Sequence, residues 1–356
     1  MTTASTQQRP AQTPSKELLI SSDSHVMEDP ELWFNRLPAG MKDQAPRYAK
    51  KQVDGFADKK GGRDPNARLT EMVQDGVSGE VLYPSLALTQ FGIENAELQE
   101  ACFRIYNDWL AEYCRVDTDR LVGVALLSSF NIQNAVKELE RCRQQGLRGG
   151  LIWQVPHPDL PFTSGHYDPL WAAAEALKMP MSLHILTGFG YSKNLFTMSG
   201  LDMYRNSVNV KLLEAANTML ELIMSGVCDR FPGLKFVIVE NEIGWMPFVI
   251  EQWDRYYKRF QKSGTNPVNL PKLPSEYFAS NFYATFFNDP AGGHLLAKWG
   301  EDNCMWSNDY PHGNSTWPNS RDVIARDLGH LSPERRAKIV ATTAQKLYNM
   351  QVTQIA

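Results

Sequence analysis

The sequence predicts an α/β protein folded as a closed (β/α)8 barrel, and three observations carry that expectation. Eight short apolar, strand-like runs recur along the chain. Most of the gaps between them hold longer segments in which apolar residues return every three or four positions, the period of an amphipathic helix. Polar, titratable residues gather where the runs end, which is where a parallel barrel presents its chemistry. Runs that are apolar throughout read as strands buried on both faces, and intervening helices make such a sheet parallel. A doubly wound open sheet is the alternative arrangement.

Taken in order, residues 1–16, MTTASTQQRPAQTPSK, are polar and lack the apolar core of a secretory signal. They are expected to be a disordered tail ahead of a single domain spanning residues 17–350. The first run, LLISS, breaks at once into Asp23, Ser24 and His25. Strand side chains alternate with period two, so Asp23 and His25 would point the same way. The stretch also suits a helix entry capped by Ser or Asp. Residues 35–70, with PAGMKDQAPRYAKK and DKKGGRDPNAR, read as a long polar excursion after the first strand.

EVLYPS (80–85), LVGVALL (121–127), GGLIWQ (149–154) and MSLHI (181–185) give strands two to five. AELQEACFRIYNDWLAEYC, NIQNAVKELERCRQQ and DPLWAAAEALK supply helices among them. Residues 187–206, TGFGYSKNLFTMSGLDMYRN, mix glycines with aromatics, as a lid or an oligomer contact does. After the helical VKLLEAANTMLELIMSGV come KFVIVE (235–240), FYATFF (282–287) and CMWSND (304–309) as strands six to eight.

A chain of 356 residues, 43% hydrophobic, can bury a core of this size. Its net charge of -4 leaves no electrostatic footprint for nucleic acid, and no Lys/Arg run suggests a membrane surface. No apolar run approaches the roughly 18 residues of a membrane span. The five cysteines, Cys102, Cys114, Cys142, Cys228 and Cys304, are odd in number and form no CxxC. That argues against a disulfide framework and a cysteine zinc site, and for a reducing cytoplasm. The expected partner is a small molecule, together with a homo-oligomer or a hetero-oligomer with a paralogue, since the aromatic-rich EQWDRYYKRF offers apolar surface.

The strand ends converge on one chemistry. Asp23 and His25 end the first strand, His184 lies in the fifth, Glu240 ends the sixth, and Asp309 ends the eighth with His312 three residues on. Each alone has an ordinary reading: His184 as a satisfied core histidine, Asp309 as the start of a turn. Together they bring three imidazoles and three carboxylates to one mouth. Carboxylates so crowded would force some to stay protonated, and a divalent cation relieves that repulsion. Mixed His and carboxylate donors suit zinc, manganese or iron.

The stretches SSDSHVMEDPELW, GHYDPLWAAAEALKMPMSLHI, FPGLKFVIVENEIGWMPF and WSNDYPHGNSTWP resemble the amidohydrolase-related superfamily of metal-dependent TIM barrels. The resemblance is to the branch that includes aminocarboxymuconate-semialdehyde decarboxylase, and it covers roughly residues 17–350. It implies that Asp23-Ser24-His25 stands for the family's first-strand HxH, His184 for its fifth-strand ligand and Asp309 for its eighth-strand Asp. Glu240 stands where the family places a histidine. Asp23 in place of histidine hardens the site towards iron or manganese. Strand four offers no bridging Lys or Glu, so the two-zinc arrangement of binuclear hydrolases is not expected. Glu240 and His312 could instead hold a second ion, giving a set like the dinuclear iron centres of oxygenases, a few of which occur in this branch.

Three functions follow as expectations. In the first, a single-metal enzyme hydrolyses or decarboxylates a small organic acid, Asp309 orienting or deprotonating a metal-activated water and Glu240 or His312 shuttling the proton. In the second, Asp23, His25, His184, Glu240, Asp309 and His312 share two ions in an oxygenase acting on a small acid or amine. In the third, the barrel is the non-catalytic partner of an active paralogue. Arg148, Trp153, His157 and Tyr283 are candidate substrate contacts, although Trp153 and Tyr283 also suit the core. Glu28 and Asp29 are expected to hold His25 in its tautomer, and His166 to cap or pin the following helix. His294 and His330 are assigned no role.

Overall fold

A computed structural model of the chain describes residues 17–48, 59–190, 199–266 and 268–354. The expected tail at residues 1–16 lies outside them, as do parts of the excursion and of the aromatic loop. The eight strands are β1 (Ile20–His25), β2 (Gly79–Tyr83), β3 (Leu121–Leu126), β4 (Gly149–Ile152), β5 (Met181–His184), β6 (Phe236–Val239), β7 (Phe282–Phe286) and β8 (Cys304–Trp306).

All seven ladders are parallel, and spatial order follows chain order from β1 to β8. A doubly wound sheet would reverse its strand order at one point; this one does not. The ring is completed by backbone bonds from Asp309 N to Asp23 O at 3.1 Å and from His25 N to Tyr310 O at 2.5 Å. Nearly every strand residue is buried, which is why the strands read as continuous apolar runs.

Several helices begin where a side chain meets free backbone N–H groups. Asp64, Asn95 and Asn131 accept from Asn66 N, Leu98 N and Asn134 N, opening helices Pro65–Asp75, Ala96–Cys114 and Ile132–Gln144. The first stops at Gly76, whose φ of +73° is the left-handed conformation that glycine adopts without penalty. This helix starts inside the stretch read as an excursion. Trp171 packs edge-on against Phe236, which stacks on Phe282, between the barrel and its helices. Among the described residues no helix is long and apolar enough to cross a membrane.

Candidate metal centre

Four strand ends bring polar side chains to one point at the carboxy-terminal mouth. Asp23 and His25 come from β1, His184 ends β5, Glu240 follows β6, and Asp309 and His312 lie in the turn after β8. Asp23, His25, His184 and Glu240 each offer a ligand atom within 4.8 Å of the others, and so do His25, Glu240, Asp309 and His312. His25 and Glu240 belong to both groups.

Local backbone irregularities aim these donors. The β1–β2 ladder breaks register between Ser21 and Ser24, a bulge that turns Asp23. Glu240 and Asp309 have φ of +59° and +54°. Such conformations cost about 1–3 kcal/mol each outside glycine and persist only where their surroundings fix them. Here Glu240 N donates to Thr285 Oγ1 at 2.9 Å, and Asp309 N to the Asp23 carbonyl.

The two buried imidazoles are oriented from behind. His25 Nδ1 donates to Pro84 O and His184 Nδ1 to Ile185 O, both at 2.7 Å. Each Nε2 therefore turns a lone pair to the centre. His25 Nε2 lies 3.4 Å from Asp23 Oδ1, 3.5 Å from Asp309 Oδ1 and 3.9 Å from Glu240 Oε2. His184 Nε2 lies 3.8 Å from Asp23 Oδ1 and 3.6 Å from Glu240 Oε2. Both Nε2 atoms and both Asp23 oxygens are buried without a hydrogen-bond partner. Buried acceptors facing one another are costly unless something electropositive lies among them, so the donor set fits a divalent cation.

Burial opposes ionisation of Asp23, but His184 and His25 overcome it and hold the carboxyl well below its ordinary range. Burial likewise opposes a charged His184, yet Asp23 and then Glu240 outweigh it and raise its pKa. His312 is pushed down to about 4 by burial, against Glu240 and Asp23, so its ring is neutral near pH 7. Its Nδ1 lies 2.7 Å from Asp309 Oδ1 and its Nε2 3.1 Å from Ser85 Oγ.

Ser85 and the Pro84 carbonyl escaped the sequence reading. Their signal was the polar end of EVLYPS at a second strand tip. The tautomer of His25 is set by Pro84, not by Glu28 or Asp29 as expected. Glu28 instead accepts from Ser85 N, Leu86 N and Ala87 N at 3.2, 2.9 and 3.1 Å, and Asp29 accepts from Glu31 N. These carboxylates shape loops.

The substrate-contact candidates fall in two places. Trp153 is buried at the end of β4, its Nε1 donating to Phe91 O at 2.9 Å, edge-on to Phe130 at 4.9 Å and to Phe189 at 5.8 Å. The His157 ring lies 4.2 Å from that of Phe189, so both belong to an aromatic wall after β3, β4 and β5. Arg148 instead precedes β4, at the opposite end of the barrel, where it donates to the carbonyls of Tyr348, Asn349 and Thr118. Tyr283, early in β7, faces outwards beside Lys178, Lys235 and Lys346 at that same far end. A residue before a parallel strand cannot reach the mouth beyond its carboxy end. His166 pins its turn to Ser129 O at 2.7 Å, one of its two expected roles, and the His294 and His330 rings lie 5.0 Å apart.

The family model described as Amidohydrolase matches residues 24–350. The gamma-resorcylate decarboxylase of Rhodococcus jostii is 27% identical over 256 residues, covering 68% of this chain and 75% of that protein. The crystal structure of 5-carboxyvanillate decarboxylase from Sphingomonas paucimobilis has a TM-score of 0.71 at 22% identity, covering 94% of this chain and 99% of the other. A dihydroxybenzoic acid decarboxylase from a Polaromonas species, solved with manganese and 2-nitroresorcinol, has a TM-score of 0.69 at 21% identity, with 94% and 97% covered.

Proposed function

The chain belongs to the amidohydrolase family, and from that premise we propose that it is a metal-dependent decarboxylase of a small hydroxylated aromatic acid. One observation carries the metal: the unpartnered, inward-facing Nε2 atoms of His25 and His184 beside the unpartnered carboxylate of Asp23. Asp23, His25, His184 and Asp309 would hold the ion, with Glu240 and His312 at its side, and the manganese of the Polaromonas decarboxylase supports the choice of metal. When bound, a divalent ion supplies positive charge that draws electron density from a substrate oxygen.

The chain's own groups supply the rest. Loss of CO2 from a hydroxybenzoate breaks the bond between ring and carboxylate, leaves its electron pair on the ring carbon, and requires a proton at that carbon. The Asp309 carboxyl, 2.7 Å from His312 Nδ1, is placed to hold that proton, with His312 passing one from the side of Ser85. Phe130, Trp153 and Phe189 form a wall suited to an aromatic ring and to excluding water. CO2 release from 2,6-dihydroxybenzoate and 5-carboxyvanillate, measured with manganese and after chelation, tests the reading. Metal-loaded protein inert across a panel of hydroxylated aromatic acids would refute it.

The second donor group favours a second reading, a two-ion oxygenase. Elemental analysis separates the two: about one ion per chain fits the decarboxylase, whereas two irons with substrate-dependent oxygen uptake fit the oxygenase. We also infer assembly with a second copy or a paralogue, supported by the exposed Leu201, Tyr204, Val208 and Leu213. The five buried, unpaired cysteines support a reducing compartment such as the cytoplasm.

A further inference from the structure

Behind the donors lies a second polar cluster that the proposed chemistry does not use. Arg68, on helix Pro65–Asp75, is fully buried. Its Nε donates to Glu80 Oε2 at 2.5 Å and its Nη1 to the carbonyl oxygen of His25 at 2.6 Å. The guanidinium lies over the Tyr310 ring, 4.5 Å from its centroid, and the Tyr310 hydroxyl is bonded to Glu71. The other oxygen of Glu80 accepts from Asn308 Nδ2 at 3.3 Å. Asn308 Oδ1 in turn meets the hydroxyls of Ser21 and Ser24 at 2.9 and 2.8 Å and accepts from Tyr310 N at 3.1 Å. One continuous network thus joins β1, the start of β2 and the turn after β8.

This cluster is poorly explained as a device for stability. Arg68 Nη2 is buried without a hydrogen-bond partner. A buried ion pair with an unmet donor barely recovers the desolvation of its charges, and apolar residues of similar volume usually serve a core as well or better. What the cluster does supply is position. Between Ser21 and Ser24 the β1–β2 ladder shifts register, and pairing resumes with Ser24 opposite Leu82 and His25 opposite Tyr83. Beyond that shift His25 is further held at three points: its N–H by Tyr310 O, its carbonyl by Arg68, and its ring by Pro84 O. Those three bonds fix the peptide plane and the ring, and with them the location of Nε2. The Asn308 side chain does the same for the turn that carries Asp309.

We propose that Arg68, through Glu80 and Asn308, is a positioning residue that sets the affinity of the centre for its metal by fixing His25 and Asp309. The proposal rests on the metal-dependent reading above. Partners behind metal ligands typically govern affinity by about 10- to 100-fold, and the arginine fork bridges a carboxylate and a carbonyl where a lysine ammonium, a single point charge, bridges less well.

The test titrates Mn2+ into chelator-treated full-length protein by calorimetry, beside circular dichroism of the metal-free form. Replacing both partners, Arg68→Met with Glu80→Leu, removes the link to His25 without leaving a lone buried charge. This variant should keep its fold and bind Mn2+ at least ~10-fold more weakly. Arg68→Lys, which keeps the charge opposite Glu80, should also bind more weakly than wild type and decides the matter if the double variant does not fold. A folded variant with wild-type Mn2+ affinity overturns the positioning role. Wild-type protein that binds no Mn2+ overturns the metal reading itself, a separate result.

Discussion

Asp309 carries a left-handed backbone, a backbone bond to Asp23 and a side-chain bond to His312. Asp309→Asn removes charge and basicity at nearly constant volume, so turnover should fall by about 10²- to 10⁴-fold with an unchanged circular dichroism spectrum. Glu240→Gln should lower metal content by elemental analysis; full occupancy with slowed turnover would assign Glu240 to proton handling instead. His184 sets a pH dependence. Its folded-state pKa lies above the ordinary 6.5, so in chelated protein its contribution to stability is complete below that pH and is lost as pH rises through the folded value. Asp23 acts oppositely: its pKa is depressed, and its contribution is present above the ordinary 3.8 and lost as pH falls. Above pH 6.5 the urea midpoint of chelated protein should therefore decline as pH rises through the folded value. Saturating Mn2+, which would take up the same lone pair, should abolish that decline.

Among the elements, the strands and long helices were legible because their apolar periods are set locally, and Asn95 and Asn131 stand where caps belong. Strand tips were legible as polar residues too, hence the six candidate ligands that the fold brings together. Which neighbour holds each donor was not, because hydrogen bonds such as His25 to Pro84 and His312 to Ser85 join distant parts of the chain. Arg68 had a local signal that went unread, since it shares a buried helix face with Met72 and Asp75. Arg148 and Tyr283 were misread because a strand's two ends look alike in sequence, while only one faces the mouth. The loop after β2 depends on Glu28, whose two oxygens take three backbone N–H groups. Glu28→Gln offers an amide where an acceptor is needed, and should lower unfolding free energy by about 1–3 kcal/mol in urea titrations.

Across the whole molecule, an ion at the mouth would cross-link the tips of β1, β5, β6 and β8, which are far apart in the chain. Free Mn2+ at about 100 times its Kd should raise unfolding free energy by about 2.7 kcal/mol, and a chelator should reverse it in a thermal scan. The sequence by itself determined that this chain is a parallel α/β fold with His and carboxylate side chains at its strand ends, because period and composition are properties of short stretches. Only the tertiary structure decided which lone pairs face one another and what braces them from behind. Those relations arise when the barrel closes Asp309 onto Asp23, residues that stand at opposite ends of the domain.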